Sequence, residues 1–298
     1  SITLAELREA NHALVSCGAS IDEVNAVRRA FSAVKGGGLS TRAARAAQIS
    51  LIISDTTPDA PHNVASGPTF VLPHEPHDPS EIVKRYGLAA RLPASILHAV
   101  GQPRPSNAET ARASALQRHH VLLDNERALV RAAEVAAAHG FAVEIAREVS
   151  EQAVEEGAAL LVSRLWDLRR REEGRPVCLV SGGEFSCPVR GAGVGGRNAE
   201  TVLRCAFELE ARAAPPSSGA ATPVVALSAG TDGIDGNSPA AGALCDNTTL
   251  ARARTLSLDA RKFLDTSDAH TLFAALGDAI TTGATGTNVR DLRLLLAG

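Results

Sequence analysis

Short apolar runs alternate along this chain with segments of helical periodicity, and this alternation constrains the fold more than any other feature. Ile49–Ile53, Val177–Val180 and Val224–Ser228 are continuous apolar runs of the length of buried strands. Helical segments precede and separate these runs. One of them begins after Ser20, and Ser20 and Glu23 have the spacing of a capping box. The alternation of strands and helices predicts an α/β fold.

Four further local predictions follow from turn and cap residues. The helix after Ser20 is expected to stop at Gly36–Gly38, and Ser267 is expected to cap a last helix. A second short strand is expected near Cys187–Arg190, and a closing strand at Leu292–Leu296. The polar, Pro-containing stretch at 101–110 is the best linker candidate. Because 298 residues suffice for two domains, we predict one domain over 1–120 and another over 121–298.

Composition excludes several classes of protein. The net charge of -3 and the pI near 6.3 argue against a dedicated nucleic-acid binder. No apolar run reaches the roughly 18–20 residues of a membrane-spanning helix. The five cysteines are odd in number and contain no C-x-x-C pair, so we expect a reducing compartment, the cytoplasm, rather than a disulfide framework or a zinc site.

A glycine loop carries the first chemical signal. Residues 191–196 read G-x-G-x-x-G between a strand and a helix, and Arg197 follows. Glycines let the backbone approach a ligand, and the start of the helix favours an anion, so phosphate binding is the main interpretation. A purely structural glycine turn is the alternative. Dinucleotide binding also needs an acidic residue about 20 positions later, where this chain has Pro215–Ser218 instead.

Two more glycine-containing segments follow strands. In Gly230–Gly236, Asp232 and Asp235 lie three residues apart and could hold Mg²⁺ or orient a hydroxyl group, or they could only cap a tight turn. In Ser181–Glu184, the carboxylate of Glu184 could bind a ligand or cap a turn. Both segments lie where open α/β sheets place ligands, after the carboxyl ends of strands.

Cations stand out in one earlier segment. Residues 25–40 place Arg28 and Lys35 on or just beyond one helix. These cations could meet an acidic substrate, whereas a solvated helix face is the usual reason for such a pattern.

Five motifs in order resemble one family. They are Asn25–Leu39 (N-x-V-R…S-x-x-K-G-G-x-L), Leu51–Asp55 with Ala65–Thr69 (L-x-x-S-D, A-S-G-P-T), Ser181–Glu184 with Gly191–Glu200 (S-G-G-E, G-x-G-x-G-G-R-N-x-E), Gly230–Gly236 (G-T-D-G-x-D-G) and Thr285–Asp291 (T-G-T-N-V-x-D). Together they resemble the glycerate 2-kinases, whose C-terminal portion is called the MOFRL domain. The order matches along essentially the whole chain.

The resemblance implies phosphoryl transfer from ATP to D-glycerate, giving 2-phosphoglycerate with the help of Mg²⁺. It implies the remainder of a Rossmann-like three-layer domain followed by an α/β MOFRL domain, with the site in the cleft between the two. Small molecules are then the expected partners, without nucleic acid or membrane, and a homodimer is left open. The candidate catalytic residues are Arg197, Asp232 and Lys35, the candidate substrate- or phosphate-binding residues are Arg28, Ser181, Gly182, Gly183, Glu184, Gly193, Gly195, Gly196, Asn198 and Thr231, and the candidate metal ligands are Asp232 and Asp235.

The chain also departs from the family pattern. The family usually has an earlier lysine in a G-K-A stretch and an S-G-G-G-S-A loop, which do not occur in this sequence, so we expect an N-terminally truncated chain. Pro239 stands where the family has an acid, and Ala199 where it has glutamine. Two alternatives are therefore kept: a hydroxypyruvate reductase-like oxidoreductase, and an inactive truncated fragment.

Overall fold

A computed structural model describes residues 2–57, 60–71, 77–102, 117–212 and 223–298. The chain divides into two units: unit 1 comprises Ser1–Ile52 and Pro58–Leu122, and unit 2 comprises Ile53–Thr57 and Leu123–Gly298. Most of the predicted linker, residues 103–110, lies outside the described residues, as does the stretch 213–222. Within the described part of the chain, no helix is long and apolar enough to span a membrane.

Before residue 124, the described residues form five helices and two strands. They are α1 (Leu4–Val15), α2 (Ile21–Ala30), α3 (Gly38–Arg42), α4 (Pro79–Arg85) and α5 (Ala94–Val100), with β1 (Gln48–Ile53) paired to β2 (Gln117–Leu123), and 3₁₀ turns at Pro61–Ser66 and Leu88–Ala90. The capping box that begins α2 is present, because the Ser20 hydroxyl accepts from the Glu23 N–H and the Glu23 carboxylate accepts from the Ser20 N–H. The end of α2 was predicted too late, since the helix already ends at Ala30, before the glycines.

The strand β1 differs from its prediction. A run of apolar residues predicts burial, but only Ile52 is buried, whereas Ile49 and Leu51 are 71% and 66% exposed. The reason is that β1 belongs to a two-stranded sheet. Among the described residues nothing covers the side on which Ile49 and Leu51 lie.

The later part of the chain forms one mixed sheet of six strands. Its helices are α6 (Asn125–Ala138), α7 (Val154–Arg171), α8 (Arg197–Arg212), α9 (Thr249–Thr255), α10 (Ala260–Asp265) and α11 (Ala269–Leu276), and its strands are β3 (Ala142–Ile145), β4 (Val177–Gly183), β5 (Val224–Gly230), β6 (Gly242–Asp246), β7 (Ala279–Ile280) and β8 (Asp291–Ala297). The spatial order is β3-β4-β8-β5-β6-β7, with β3 parallel to β4 and the other neighbours antiparallel.

The strand β8 lies in the middle of this sheet, not at its edge. It pairs antiparallel with β4 on one side and with β5 on the other. Consequently β4 and β5 run in the same direction, and both end at the edge of the sheet where β8 begins.

Helices cover both faces of the sheet. On one face, the buried side chains of α7 and α8 pack against apolar residues of β4, β5 and β8. On the other face, Leu129 and the alanines of α6 pack against Cys178 and Val180 of β4. Burying both faces of β4 explains why its sequence is apolar without alternation.

Two local predictions in this part are wrong. No strand forms at Cys187–Arg190, where the described chain shows one isolated bridge between Ala153 and Ser186. The residue that precedes the helix α11 is Asp268, not Ser267, and its carboxylate accepts a hydrogen bond from the Thr271 hydroxyl.

Candidate active site

Three sequence motifs meet at one edge of the six-stranded sheet. Gly183 ends β4, Gly230 ends β5, and Asp291 begins β8 between them, so that the register pairs Asp291 with both glycines. The helix α8 begins at Arg197 next to this edge, because its first side chains contact Asp291. The pairing of β8 with β4 and β5 therefore brings Asp291 next to Gly183 and Gly230, which are distant from it in the sequence.

Arg197 is held by two carboxylates. Its Nε donates to Asp291 Oδ2 (2.6 Å), and its Nη2 donates to Glu184 Oε1 (2.8 Å) and to Asp291 Oδ1 (3.2 Å). The Asp291 side chain is 1% exposed, whereas those of Arg197 and Glu184 are each 35% exposed. Burial acts to lower the pKa of Arg197, but the bond to Asp291 and the surrounding carboxylates outweigh it, so the pKa rises. Arg197 therefore stays charged, and part of its side chain remains exposed.

Glu184 has a raised pKa. Burial is the main cause, and the charge of Arg197 opposes it. The ion pair of Arg197 and Glu184 therefore combines a charged guanidinium with a carboxylate that is more easily protonated than usual.

A second arginine lies behind the first. Arg293 is fully buried, and its guanidinium stacks on the Phe185 ring at 3.5 Å. It donates to the carbonyl oxygen of Gly182 and lies 3.5 Å from the Asp291 carboxylate. Burial lowers the pKa of Arg293 to about 10. Asp291 thus lies between a buried and a half-exposed guanidinium, and two opposing cations fix its position.

Asn125 ties the ends of β4 and β8 together. Its amide nitrogen donates to the carbonyls of Val289 (2.7 Å) and Asp291 (3.0 Å), and its carbonyl accepts from the Gly183 N–H (2.9 Å). A Cβ on Gly182 would lie 2.1 Å from the Asn125 side-chain oxygen, so glycine is required there. Gly182 and Gly183 thus have a structural reason for being glycine.

Ser181 and Thr231 are tethered to backbone groups. The Ser181 hydroxyl is buried and donates to the Val149 carbonyl. The Thr231 hydroxyl donates to the Arg290 carbonyl (2.7 Å) and accepts from the Val289 N–H (2.8 Å). Both hydroxyl groups therefore hold neighbouring loops, and their predicted roles in ligand binding stay predictions.

Asp235 caps the helix α8 from a distant loop. Its Oδ1 accepts from the Asn198 N–H and its Oδ2 from the Ala199 N–H, both at 2.9 Å. The Asn198 amide nitrogen adds a bond of 3.3 Å to Asp235 and one of 3.0 Å to Asp291, and its carbonyl accepts from Ser228. Burial raises the pKa of Asp235, and the two backbone N–H groups oppose that rise. This carboxylate occupies a position at which a helix could otherwise bind an anion.

Three of the six backbone N–H groups of the glycine loop, residues 191–196, donate to other residues of the protein. The N–H of Gly193 donates to the Thr266 carbonyl (3.3 Å), that of Val194 to Asp268 (2.7 Å) and that of Gly195 to Asn237 (2.8 Å). Among the described residues, the N–H groups of Gly191, Ala192, Gly196 and Arg197 have no acceptor. Phosphate binding at this loop therefore stays a prediction.

A pocket of 590 Å³ opens beside these residues within unit 2. Gly196, Arg197, Asp232 and Asn237 line its polar side, and apolar residues that include Phe185 line the remainder. Among the described residues, the one donor to the Asp232 carboxylate is the Ile234 N–H, which donates to Oδ1 (3.0 Å). Of the predicted pair, Asp232 therefore has a carboxylate oxygen available to the pocket.

Lys35 and Arg28 lie in unit 1. The Lys35 ammonium donates to the Ser66 hydroxyl (3.1 Å), which donates to the Asn25 side-chain carbonyl (3.1 Å). Arg28 donates through Nε to Asn11 (2.9 Å). The first motif, Asn25–Leu39, thus lies next to Ala65–Thr69 of the second motif.

Three residues of the site in unit 2 were not predicted from the sequence. Asp291, Asn125 and Arg293 organise it, yet none of them was a candidate. Asp291 ends the T-G-T-N-V-x-D motif, so a signal for it was present in the sequence. Asn125 and Arg293 carry no local signal, because their partners are distant along the chain.

A metal would have to be held by few protein groups. Among the described residues, no cluster of three or more His, Cys, Asp or Glu side chains could hold a metal ion. Mg²⁺ commonly uses one or two carboxylates together with the phosphates of a nucleotide. Asp232 fits that requirement, because one of its oxygens is free. Asp235 as a metal ligand stays a prediction, and the helix already uses both of its oxygens.

Comparisons with known proteins agree with the motifs. Residues 177–291 match the MOFRL family, and residues 1–101 match a domain of unknown function, DUF4147. The chain is 36% identical to a glycerate kinase of Macaca fascicularis, over 99% of the chain and 83% of that protein. It is 37% identical to a putative hydroxypyruvate reductase of Agrobacterium vitis, over 100% of the chain and 74% of that protein.

The fold is also similar to a solved structure. A crystal structure of a glycerate kinase from Thermotoga maritima superposes with a TM-score of 0.81 and 30% identity, covering 100% of this chain and 68% of that one. Several relatives are longer than this chain. The chain spans 66% of another putative hydroxypyruvate reductase of Agrobacterium vitis and 63% of the human glycerate kinase. The matched region therefore leaves about a third of those proteins without a counterpart.

Proposed function

This chain belongs to the glycerate kinase family, and on that premise we propose that it transfers the terminal phosphoryl group of ATP to D-glycerate, giving 2-phosphoglycerate and ADP. The relatives named glycerate kinase match it along nearly its whole length, which supports the proposal. Because the chain spans only part of their length, the complete reaction stays a proposal for this chain.

The geometry of Arg197 carries the proposal. Glu184 and Asp291 together engage Nε and Nη2, and Nη1 has no partner among the described residues. Two carboxylates therefore fix the plane of the guanidinium and leave one donor facing the pocket. Phosphoryl transfer needs positioning and neutralisation of charge more than covalent chemistry from the protein. The guanidinium of Arg197, fixed by two carboxylates, supplies the positioning, and its charge with the available Nη1 donor supplies the neutralisation.

In the proposed reaction, the 2-hydroxyl oxygen of D-glycerate forms a bond to the terminal phosphorus atom and releases its proton to solvent. The bond from that phosphorus to the bridging oxygen breaks, and ADP leaves with the electron pair. Arg197 Nη1 and the N–H groups of Gly196 and Arg197 donate to oxygens of the transferred group. Asp232 is the carboxylate that would hold Mg²⁺, which, when bound, neutralises charge on the phosphates.

The test is a coupled assay for ADP release with D-glycerate, ATP and Mg²⁺. It is run on this chain and on a version extended at its amino terminus. Arg197→Lys keeps the positive charge but loses the planar guanidinium with its fixed donors. We therefore expect turnover to fall about 100-fold, the effect of losing one preorganised donor. Arg131→Lys, at an exposed ion pair of α6, is the matched control and should leave turnover unchanged.

Two results would refute the proposal. One is the absence of ADP release in both forms while the extended protein is folded. The other is full turnover of Arg197→Ala, which would remove the role of the guanidinium.

Reduction of hydroxypyruvate is the second candidate, because relatives of Agrobacterium vitis carry that name. The internal bonding of the glycine loop and the lack of a ribose-binding acid do not favour it. Oxidation of NADH with hydroxypyruvate, followed by fluorescence, separates the two activities.

We also propose a cytoplasmic location. All five cysteines are free thiols, and burial raises the pKa of Cys178 to about 11 and that of Cys187 and Cys205 to about 12. Free cysteines in this number are typical of a reducing compartment. Fractionation of the native cells would test the location.

A further inference from the structure

Two cations of unit 1 lie close enough to repel each other, and the described residues offer them no counter-charge. No carboxylate of the described residues lies within ion-pair distance of Lys35 or Arg28, although both side chains are half-buried. Burial lowers the pKa of Arg28, and burial followed by the charge of Arg28 lowers the pKa of Lys35. Partly buried charges in proteins are usually paired, since an unpaired charge costs free energy. An anion brought between them would remove that cost.

Acidic side chains nearby are turned to other partners. Glu23, on the same helix as Arg28, accepts from Arg85 (2.7 Å) and from the Tyr86 hydroxyl (2.9 Å). Asp22 accepts from the Asn63 amide (3.1 Å). The positive charge of the cluster is therefore not cancelled from its own helix.

A neutral donor group completes the cluster. Asn25 is 4% exposed and lies one helical turn before Arg28. Its carbonyl accepts from Ser66, and its amide nitrogen has no acceptor among the described residues. Three kinds of donor thus lie together: an ammonium, a guanidinium and a buried amide.

The backbone that carries Ser66 is strained. Ala65 and Ser66 have φ values of 51° and 61°, and Gly67 follows at 64°. Left-handed conformations cost free energy for residues other than glycine, and they persist where the surrounding structure enforces them. Here the Gly36 N–H donates to the Ser66 carbonyl (3.0 Å) and the Gly37 N–H donates to the Gly67 carbonyl (2.8 Å). This pairing holds the Ser66 hydroxyl against Lys35.

We propose that Lys35, Arg28, Asn25 and Ser66 form an oxyanion site that binds the carboxylate of a small hydroxy acid. The assignment to the acceptor acid rests on the proposed function. A carboxylate is favoured over nucleotide phosphates because the described part of the cluster has no acid that could hold the Mg²⁺ that accompanies them. In this proposal Lys35 binds the carboxylate of the acceptor acid and does not contact the transferred phosphoryl group.

Calorimetric titration of the chain with D-glycerate, without nucleotide or metal, tests the proposal. We expect binding that weakens at least tenfold in Lys35→Met and in Arg28→Met. Lys35→Arg should retain it within a few-fold, because it restores the charge. Lys84→Met removes an exposed lysine of α4 in the same unit and is the matched control, with unchanged binding. Thermal melting of each variant, followed by circular dichroism, establishes that it is folded.

The dependence on pH adds a second readout. Only protonated Lys35 attracts the anion, and its pKa lies below the usual 10.5. Arg28 of α2 is the charged group whose repulsion adds to the effect of burial on this pKa. The affinity should therefore fall as the pH rises through the lowered pKa, and it should not fall in Lys35→Met.

D-Lactate and inorganic phosphate serve as further probes. Binding of D-lactate that depends on Lys35 and Arg28 would support the carboxylate site even if no ADP release were found. Phosphate that binds more tightly than both acids would overturn the assignment to a carboxylate. Equal binding of D-glycerate by the wild type and both methionine variants, or none by the wild type, would overturn the site itself, whatever the kinase assay shows.

Discussion

Replacing Asp235 by asparagine shows whether this residue acts as a helix cap or as a metal ligand. Asp235 satisfies two backbone N–H groups of α8, those of Asn198 and Ala199, with one oxygen for each. Asparagine supplies one oxygen, so one buried N–H loses its acceptor and meets an NH₂ group instead. Leaving one buried donor unpaired costs about 1–3 kcal/mol. We therefore expect the free energy of unfolding of unit 2 to fall by about 2 kcal/mol.

Trp166 makes this loss measurable. It is the single tryptophan, it lies on α7, and it packs against the core of unit 2, so its fluorescence reports the unfolding of that unit. In a domain of this size, a loss of about 2 kcal/mol lowers Tm by roughly 4–8 °C. Asp235→Ala removes both acceptors and should cost about twice as much.

Asp232→Asn is the matched control, because Asp232 makes a single bond to the Ile234 N–H. It should leave Tm nearly unchanged and weaken binding of Mg²⁺–ATP. The reasoning fails if Asp235→Asn melts like the wild type and instead loses metal affinity, because Asp235 would then be a ligand and not a cap.

Three further perturbations probe the same sheet edge. Arg197→Lys should lower turnover about 100-fold while Tm changes little, which steady-state kinetics and melting together can show; a large fall in Tm would assign Arg197 a structural role. Arg293→Ala leaves buried carbonyl groups and one side of Asp291 unpaired, so the free energy of unfolding should fall by about 3 kcal/mol. Urea unfolding followed by tryptophan fluorescence measures this change, and a fall below about 1 kcal/mol would contradict the contacts of Arg293. Gly182→Ala would place a methyl group against Asn125 and should cost about 1–3 kcal/mol in the same assay, and an unchanged midpoint would mean that the loop adapts freely.

The local elements were largely predictable. The capping box at Ser20 and the apolar run of β4 each point to one conformation from neighbouring residues alone, and both are present. Errors arose where the outcome depended on a distant partner. The apolar residues of β1 suggest burial, yet Ile49 and Leu51 are exposed because pairing with β2 gives a sheet of only two strands.

The site was predictable by segment but not by role. Arg197, Asp232 and Glu184 were recognised in their motifs, and all three belong to the same edge of the sheet or its pocket. The partner that fixes Arg197 is Asp291, which ends a motif that had no assigned function. Whether Asp235 faces a metal or a helix could not be read from its spacing to Asp232, since only the path of the loop decides which groups its oxygens meet.

The sequence by itself determined the α/β class, most of the helices and strands, the order of the motifs and the family. These properties depend on periodicity, capping and glycine placement, which act over a few residues. Only the tertiary structure decided that β8 lies between β4 and β5, and with it the meeting of Arg197, Glu184 and Asp291. The physical reason is that strand order is set by burial of both sheet faces and by backbone pairing between residues that are distant in the sequence. Such long-range pairing leaves no periodic trace in the chain.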